Sequence, residues 1–555
     1  MKSHSIFNDQ RLDKEYDSLV SEMVTGGSAV INRSCTNASA RKSAYRFINN
    51  PKVTLSAIAS DMIKQLMSNI QTLNIKEILV AQDTMEVVRE NIVKRLGKGG
   101  REVLECARTN KGMRSHSAIV MDGLSGMPLG IGYLHIWGRT PKPLSEVKEE
   151  DYKEDRKRQP SYYIKDPDTG KTRYKYNIPI MERDSESSRW IDAPNAIRKA
   201  IDESVHIIMV QDREGDMYPV LTLSSELTNF DIVVRAAKKR KVKLPGGDTK
   251  GLFEYTESVT AAATREITIS GGPRKRKRKA TVEIKYGEVT VLRPHSPVYP
   301  QKSVDLYFVR VQEVNKPKNQ SEDIDWLLLT TLQVADLASA EKVIGYYRRR
   351  WFIEDFHRLL KKKGFGIEDI QVESPHAFEI NLAVCIKSAY ETALLKKGFD
   401  SNDDTSPATL VFTPLEMKIV DNLNKEFNTE KKIYKNPFKK GSLAWAAWAV
   451  ACEGGWSAMP SQPKPGLITF KRGIDRIQTI YQYLSKGGDL WVKDSAFGTC
   501  NRKTRPIAYM PKARPLQQSR QTQFMAHGQS SAGCGKADLP VEEKMRTFVN
   551  ISVKN

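Results

Sequence analysis

Between Ser339 and Gly364 the chain has the sequence S-A-E-K-V-I-G-Y-Y-R-R-R-W-F-I-E-D-F-H-R-L-L-K-K-K-G. This stretch predicts one long helix, because Ser339 suits an N-cap, lysines fill the last turn and Gly364 suits the end. At about 100° per residue, four side chains project within roughly 60° of one another: those of Tyr347, Arg350, Glu354 and Lys361. A carboxylate among cations is typical of a site for metal ions and phosphates. A solvated helix with surface ion pairs has the same pattern.

Two short apolar runs elsewhere in the chain both end in Gln-Asp. The run Ile78–Asp83 is I-L-V-A-Q-D, and the run Ile207–Asp212 is I-I-M-V-Q-D. Their β-rich, apolar composition predicts buried strands. Each strand would carry an aspartate at its carboxyl end, where α/β sheets place their chemistry. We therefore expect Asp83 and Asp212 to share a site with Glu354.

These three acids and the Y-x2-R-x3-E-x6-K helix resemble the catalytic triad and signature helix of bacterial cut-and-paste DDE transposases. The resemblance is to the IS-four family and, within it, to the Tn-five-like transposases. It extends to about Ser485. Further motifs occur in the order that this family has: Ala44–Ile48, Gln82–Thr84, Asp212–Asp216, Trp326–Thr330, Arg350–His357 and Gly441–Ala446.

The resemblance implies an α/β fold with an RNase-H-like catalytic core, a β-strand insertion and flanking helical domains. The domains expected are an end-DNA-binding domain at 1–70, the catalytic core at 71–375 with its insertion at about 236–320, a dimerisation domain at 376–486 and a basic tail at 487–555. The composition of the tail, rich in Gly, Ser, Gln, Pro and Arg, predicts disorder. The first domain is predicted to be helical, with basic residues interleaved with aromatic ones: Arg33, Arg41, Lys42, Arg46 and Lys52 with Tyr45 and Phe47.

Composition limits the classes of protein to consider. The formal net charge of +22 over 555 residues points to a polyanionic partner, most simply double-stranded DNA. No apolar run approaches the ~18–20 residues that span a bilayer, so no membrane is expected. The six cysteines include no C-x2-C pair, which argues against a zinc module and a disulfide framework. With no signal-peptide pattern at the N-terminus, we expect a cytoplasmic, nucleoid-associated bacterial protein.

Phosphodiester cleavage needs an activated oxygen nucleophile and a stabilised leaving oxygen, and two divalent ions about 3.5–4 Å apart supply both. Mg²⁺ prefers oxygen ligands, so three carboxylates from separate elements form a sensible site. We assign Asp83, Asp212 and Glu354 as catalytic residues and as ligands of two Mg²⁺ ions, for which Mn²⁺ substitutes. No small-molecule substrate is expected.

The resemblance implies DNA contacts for six residues: phosphate contacts for Tyr347, Arg350 and Lys361, an active-site arginine at Arg235, a stack of Trp326 on a flipped base and displacement of that base by Trp351. Without the resemblance, both tryptophans would be interpreted as core residues. His357, three residues after Glu354, is a candidate only for an outer role beside the metal ligands.

The resemblance further implies that two protomers pair two DNA ends in a synaptic dimer. The ends are then cut through a hairpin intermediate, and the 3′ ends are joined to target DNA. The residues alone support a metal-dependent phosphoryl-transfer enzyme on DNA. Two alternatives stay open, namely an RNase-H-like nuclease without strand transfer and a catalytically silent, transposase-derived DNA-binding repressor or inhibitor.

Two stretches have alternative interpretations. The apolar run Leu443–Val450 is either the centre of the dimer contact or part of an internal core. The cationic run Arg274–Lys279 is either a solvated turn or a strip that grips phosphates, and its lysine-rich neighbours favour the strip.

Overall fold

The computed structural model describes residues 5–88, 112–138, 163–165, 172–174, 186–244, 247–269, 278–294, 299–314, 324–361, 364–372, 374–428, 435–459 and 461–485. The predicted tail at 487–555 and positions 274–277 of the cationic run lie outside these residues.

An eleven-stranded mixed sheet forms the centre of the described chain. Its strands, with a separate hairpin β4–β5, are β1 (Glu77–Val88), β2 (Gly112–Asp122), β3 (Pro128–Gly138), β4 (Tyr163–Lys165), β5 (Thr172–Tyr174), β6 (His206–Gln211), β7 (Phe230–Arg235), β8 (Lys241–Lys243), β9 (Thr249–Gly251), β10 (Ala263–Ile269), β11 (Arg278–Leu292), β12 (Ser303–Val314) and β13 (Asp325–Thr330). The order across the sheet is β3-β2-β1-β6-β7-β13-β12-β11-β8-β9, with β10 beside β11.

The first five strands in this order form an RNase-H-like arrangement. β1 pairs in parallel with β6, and β6 pairs in parallel with β7. β2 is antiparallel to both of its neighbours, so it alone runs against the other four. The apolar runs before Asp83 and Asp212 form strands β1 and β6, as the sequence predicts.

The predicted β insertion extends this sheet. β13 pairs antiparallel with β7, and β12 and β11 continue outward from it. The hydrogen-bonded ladder is therefore continuous from the catalytic strands to the insertion. The described end of the cationic run lies in β11, where Arg278 pairs with Glu313 and Lys279 pairs with Glu266. These two cations are already neutralised by neighbouring strands.

Helices cover the sheet and form both ends of the described chain. Their bounds are α1 (Gln10–Gly26), α2 (Ile31–Ser34), α3 (Ala38–Ile48), α4 (Leu55–Thr72), α5 (Arg189–Ala200), α6 (Tyr218–Leu221), α7 (Leu252–Ser258), α8 (Leu337–Arg349), α9 (Trp351–Leu360), α10 (Pro375–Asp400), α11 (Pro414–Phe427), α12 (Leu443–Glu453) and α13 (Leu467–Ser485). None of the helices in the described ranges is long and apolar enough to cross a membrane.

The helices from the two ends of the chain share one apolar core. α1 packs against α10 and α13, and its Tyr16 is fully buried beside Phe47 of α3. The apolar run Leu443–Val450 lies in α12, where Trp445 and Trp448 are at most 5% exposed. This run therefore belongs to an internal core of the single chain, and the dimer contact assigned to this region stays a prediction.

The signature stretch forms two helices, α8 and α9, and the prediction of one helix from Ser339 to Gly364 is wrong at three points. Asp336 is the N-cap: its carboxylate accepts the backbone N–H of Ser339, and the Ser339 hydroxyl accepts the backbone N–H of Asp336, which completes a capping box. At Arg350 the backbone N–H donates to the carbonyl of Tyr347, three residues earlier. This tighter turn interrupts the α-helical pattern between α8 and α9. α9 ends at Leu360, four residues before Gly364.

A buried ion pair fixes the loop that follows β7. Asp216 is fully buried, and its Oδ1 accepts from Arg240 Nη2 at 2.5 Å and from Nε at 3.0 Å. Its Oδ2 accepts the backbone N–H groups of Ala237 and Lys238 at 2.7 and 2.6 Å. Since Arg240 is also buried, this cation of the basic run at 238–241 has a structural partner and is not free for phosphate.

We expect Asp216→Ala to lower the free energy of unfolding by about 3–5 kcal/mol, because it leaves the Arg240 charge buried without its partner. Thermal melting of the full chain measures this as a lower melting temperature. Lys239→Ala, at an exposed neighbouring position, is the control and is expected to change stability by less than about 0.5 kcal/mol. Equal melting temperatures for the two variants would contradict the role of the pair.

Candidate active site

The two aspartates of the candidate site lie beside each other because β1 and β6 pair in parallel. The register pairs Ala81 with Val210. Asp83 and Asp212 each lie two residues after this pair. Asp83 lies within β1, and its carboxylate accepts the backbone N–H of Thr84 at 2.8 Å. Asp212 comes directly after β6 and caps a short turn by accepting the N–H of Glu214 at 2.8 Å.

Glu354 approaches from the helix that covers the same face of the sheet. It lies in α9, which packs against β1. Arg350, one turn earlier, donates from Nη2 to Glu354 Oε1 at 2.6 Å. Arg350 is 3% exposed and lies over the rings of Tyr347 and Trp351, at 5.6 and 5.3 Å from their centroids. Helix α9 therefore places the Glu354 carboxylate near the two aspartates while it is paired with the buried Arg350 guanidinium.

The three carboxylates are close enough to perturb one another. The pKa of Asp83 is raised to about 8, mainly by burial and then by the charge of Asp212, with a smaller rise from Glu354 and an opposing effect of Arg350. Burial also raises the pKa of Glu354, again against the effect of Arg350. The site therefore holds more negative charge than its one buried arginine neutralises, and this excess favours a bound cation.

The acids are not assembled into a closed metal cage. Across the described ranges, no three His, Cys, Asp or Glu side chains converge closely enough to hold a metal ion. Glu354 is instead directed to Arg350. The electrostatic fit to a cation is thus present, while ligation by all three acids requires Glu354 to leave Arg350.

His357 lies beside Asp83 on the covering helix. Its Nδ1 is 3.6 Å from Asp83 Oδ2, and its Nε2 is 3.4 Å from the hydroxyl of Ser117 on β2. The pKa of His357 is lowered to about 3, mainly by burial and then by the nearby cations Lys361 and Arg350. The imidazole is therefore neutral near pH 7 and does not act as a charged partner of Asp83.

The predicted DNA-contact residues differ in accessibility. Tyr347 is fully buried and Trp326 is 2% exposed, and their rings meet edge to face with centroids 5.2 Å apart. A base or phosphate reaches either side chain only if its neighbours move. Trp351 is half-buried beside Arg350. The roles assigned to Tyr347, Trp326 and Trp351 stay predictions.

The other two predicted contact residues lie at the margins of the site. Lys361 follows α9 and is near enough to His357 to affect its pKa. Arg235 ends β7 and donates from Nη2 to the carbonyl of Asp325 at 3.1 Å. Partial burial and then the charge of Arg235 lower the pKa of Arg213, which directly follows Asp212. Arg213 was not predicted, although its place in the motif Asp212–Asp216 is the signal that would have identified it.

Two family models match the chain. The model described as transposase DNA-binding matches residues 3–53, and the model described as transposase DDE domain matches residues 214–390. The second match contains Glu354 and the signature helices and begins two residues after Asp212. The chain thus carries the DNA-binding and DDE domains of a DNA transposase, with the RNase-H-like core that a DDE domain indicates.

The affinity of the metal-free protein for Mn²⁺ is expected to rise with pH by about tenfold per unit up to about pH 8 and then level off, because Asp83 must lose its proton to become a ligand. Electron paramagnetic resonance of free Mn²⁺ measures this affinity. Asp83→Asn is expected to remove the pH dependence together with most of the binding. An affinity that is flat from pH 6 to 8 would refute the assignment of Asp83 as a ligand.

The same pKa shift predicts how the stability of the metal-free protein depends on pH. The pKa of Asp83 is about 8 in the folded protein and 3.8 as its ordinary value, so the folded state holds this proton more tightly than the unfolded state. The stability that this gives is complete below about pH 4 and is lost as pH rises through 8. Thermal melting between pH 6 and pH 9 should therefore show a smaller fall for Asp83→Asn than for the wild type. Parallel falls in the two proteins would contradict the shift.

Proposed function

We propose that this chain is a cut-and-paste DNA transposase of the IS-four family, similar to the Tn-five transposases. It binds the terminal repeats of its own element and pairs two ends in a synaptic homodimer. It cuts the ends through a hairpin intermediate and joins the 3′ ends to target DNA. The observation that carries the proposal is the placement of Asp83 and Asp212 on paired strands β1 and β6, with Glu354 on the helix packed against β1, in a chain that matches transposase DDE and DNA-binding models.

The residues of the site fit divalent magnesium. All three acidic side chains offer oxygen donors, which Mg²⁺ and Mn²⁺ prefer. Burial and then the charge of Asp212 raise the pKa of Asp83, so a cation bound beside it would favour its ionised form. When bound, two such ions would stabilise the leaving oxygen and lower the pKa of an attacking water. Asp83 and Asp212 would hold them from strand ends, and Glu354 from the covering helix.

Arg350 has a double role in this proposal. Its Nη2 donates to Glu354 Oε1 and neutralises that carboxylate. Its Nε and Nη1 are buried without a hydrogen-bond partner in the described part of the chain, as is the hydroxyl of Tyr347. Unpaired buried donors are costly, so these groups favour an anion such as a DNA phosphate. Release of Glu354 would also free Nη2 for that phosphate.

The DNA-binding domain supplies the sequence-independent part of the affinity. α3 begins at Ala38, is capped by the side chain of Asn37 and carries the exposed cations Lys42 and Arg46. Arg33 and Lys52 are exposed nearby, although Arg33 pairs with Asp369 at 3.1 Å. Such residues position a duplex by contacting its phosphates.

Catalysis is tested by incubating the purified chain with a plasmid that carries the DNA flanking its own gene, in Mg²⁺, Mn²⁺ or EDTA. Glu354→Gln is expected to lower cleavage by about 10³-fold or more, since metal-assisted stabilisation supplies several kcal/mol. Asp355→Asn is the matched control, because this neighbouring acid pairs with Arg358 outside the site.

The same assay separates the proposal from its alternatives. Hairpin ends on a metal-dependent fragment and joining of its 3′ ends to a second DNA would support the transposase. Cleavage without joining would favour the RNase-H-like nuclease. Binding without cleavage in any metal would favour the silent repressor or inhibitor.

Replacement of Lys42 and Arg46 by alanine is expected to weaken binding to DNA of any sequence. Each lost phosphate contact should also reduce the slope of log affinity against log salt by about 1, so the double variant loses about 2. Fluorescence anisotropy over a salt series measures both quantities. Lys14→Ala and Lys64→Ala, which lie on other helices of the same region, serve together as the control. An unchanged slope would remove α3 from the interface.

A further inference from the structure

One backbone carbonyl receives side chains from both catalytic strands. Gln82 and Gln211, the residues that precede the two aspartates, are fully buried. The Nε2 of Gln82 donates to the carbonyl oxygen of Trp190 at 3.2 Å, and the Nε2 of Gln211 donates to the same oxygen at 3.4 Å. The ends of β1 and β6 are therefore tied to a single acceptor on α5.

That carbonyl is available because of a proline. Trp190 lies in the first turn of α5, and its α-helical donor would be the N–H of residue 194. Residue 194 is Pro194, inside the helix, and proline has no N–H to give. A carbonyl oxygen has two acceptor positions, and the two glutamines use both.

The glutamines and the aspartates are neighbours in sequence but lie on opposite faces of the sheet. Side chains of successive strand residues point to opposite faces. Gln82 shares a face with Val80, whose buried neighbours include Trp190, whereas Leu79 and Ala81 belong to the core that contains Ile353 and Phe356 of α9. The glutamines thus lie on the α5 face, and the aspartates lie on the face that α9 covers.

We propose that Gln82 and Gln211 are positioning residues that fix the separation of Asp83 and Asp212 by holding both strand ends to the Trp190 carbonyl. We name this arrangement the carbonyl clamp, and it consists of Gln82, Gln211, Trp190 and Pro194. The inference rests on the proposed function, because it concerns how this chain holds divalent cations.

Neighbouring contacts hold the clamp in place on both strands. On β1, Gln82 Oε1 accepts from His116 Nε2 at 3.1 Å, and His116 Nδ1 accepts from the hydroxyl of Thr84 at 2.8 Å. The residues on either side of Asp83 are therefore joined through one buried imidazole. On β6, a Cβ at Gly215 would lie 2.7 Å from Gln211 Cβ and 2.1 Å from its Oε1, so only glycine allows this turn to cover Gln211.

Two sets of changes test the clamp in the full-length protein. Gln82→Met with Gln211→Met keeps side-chain length and removes both donors. Pro194→Ala restores the helical N–H, which then competes with the glutamines for the Trp190 carbonyl. Each is expected to weaken Mn²⁺ binding by about 10- to 100-fold, which is typical when residues that orient the metal ligands are replaced. Pro194→Ala should do so with an equal or higher melting temperature, because alanine favours the helix.

Mn²⁺ affinity by electron paramagnetic resonance, melting temperature and plasmid cleavage are measured on every variant. Met209→Leu is the control, since this buried residue lies on the same face of β6 and takes no part in the clamp. Weakened binding in Pro194→Ala, with Met209→Leu as wild type, supports the clamp even if the double glutamine variant does not fold.

Wild-type Mn²⁺ affinity in Pro194→Ala and in the folded double variant overturns the clamp and leaves the proposed function intact. Loss of affinity in proportion to lost melting temperature, with Met209→Leu equally affected, also overturns it. If the wild type neither binds Mn²⁺ nor cuts DNA, the proposed function fails and the clamp fails with it.

Discussion

The parallel pairing of β1 with β6 is the constraint on which the site depends. A one-to-one register from Glu77 and His206 places the two Gln-Asp pairs side by side, with Asp83 inside β1 and Asp212 directly after β6. A shift of one residue in either strand would move its aspartate to the opposite face. The pairing therefore determines both which residues meet and which helix covers them.

This pairing brings carboxylates close together, and neighbouring groups offset part of their repulsion. Asp83 and Asp212 share a largely buried edge, and α9 adds Glu354 to it. Arg350 offsets part of the repulsion through its bond to Glu354, and His357 adds no positive charge because it is neutral near pH 7. The site keeps a net negative charge, which favours the binding of cations. Its carboxylate oxygens are ligands that Mg²⁺ and Mn²⁺ prefer.

Packing connects this edge to the rest of the described chain. The insertion strands extend the catalytic sheet through β13, and helices from both chain ends close one core. The N-terminal helices that carry the exposed cations are thereby fixed to the C-terminal helices α10 and α13. The helix α3, for which we propose contacts with DNA, is therefore joined to the rest of the chain by packed helices.

The sequence by itself determined strands β1 and β6, the positions of the aspartates on or after them and the helical character of both ends, because each follows from local apolar patterns and motif spacing. Local patterns also explain the errors. They placed the N-cap at Ser339 rather than Asp336, since both residues suit that position, and they gave no sign of the tight turn at Arg350.

Only the tertiary structure decided which side chains are accessible and which distant groups meet. Burial of Tyr347, Trp326 and the run Leu443–Val450 results from the packing of many elements at once, and no local window contains that information. The same holds for the contact of Gln82 and Gln211 with Trp190, since Gln82 and Trp190 are 108 positions apart. Sequence spacing fixes the face of a strand or helix on which a residue lies, but the fold fixes what that face meets.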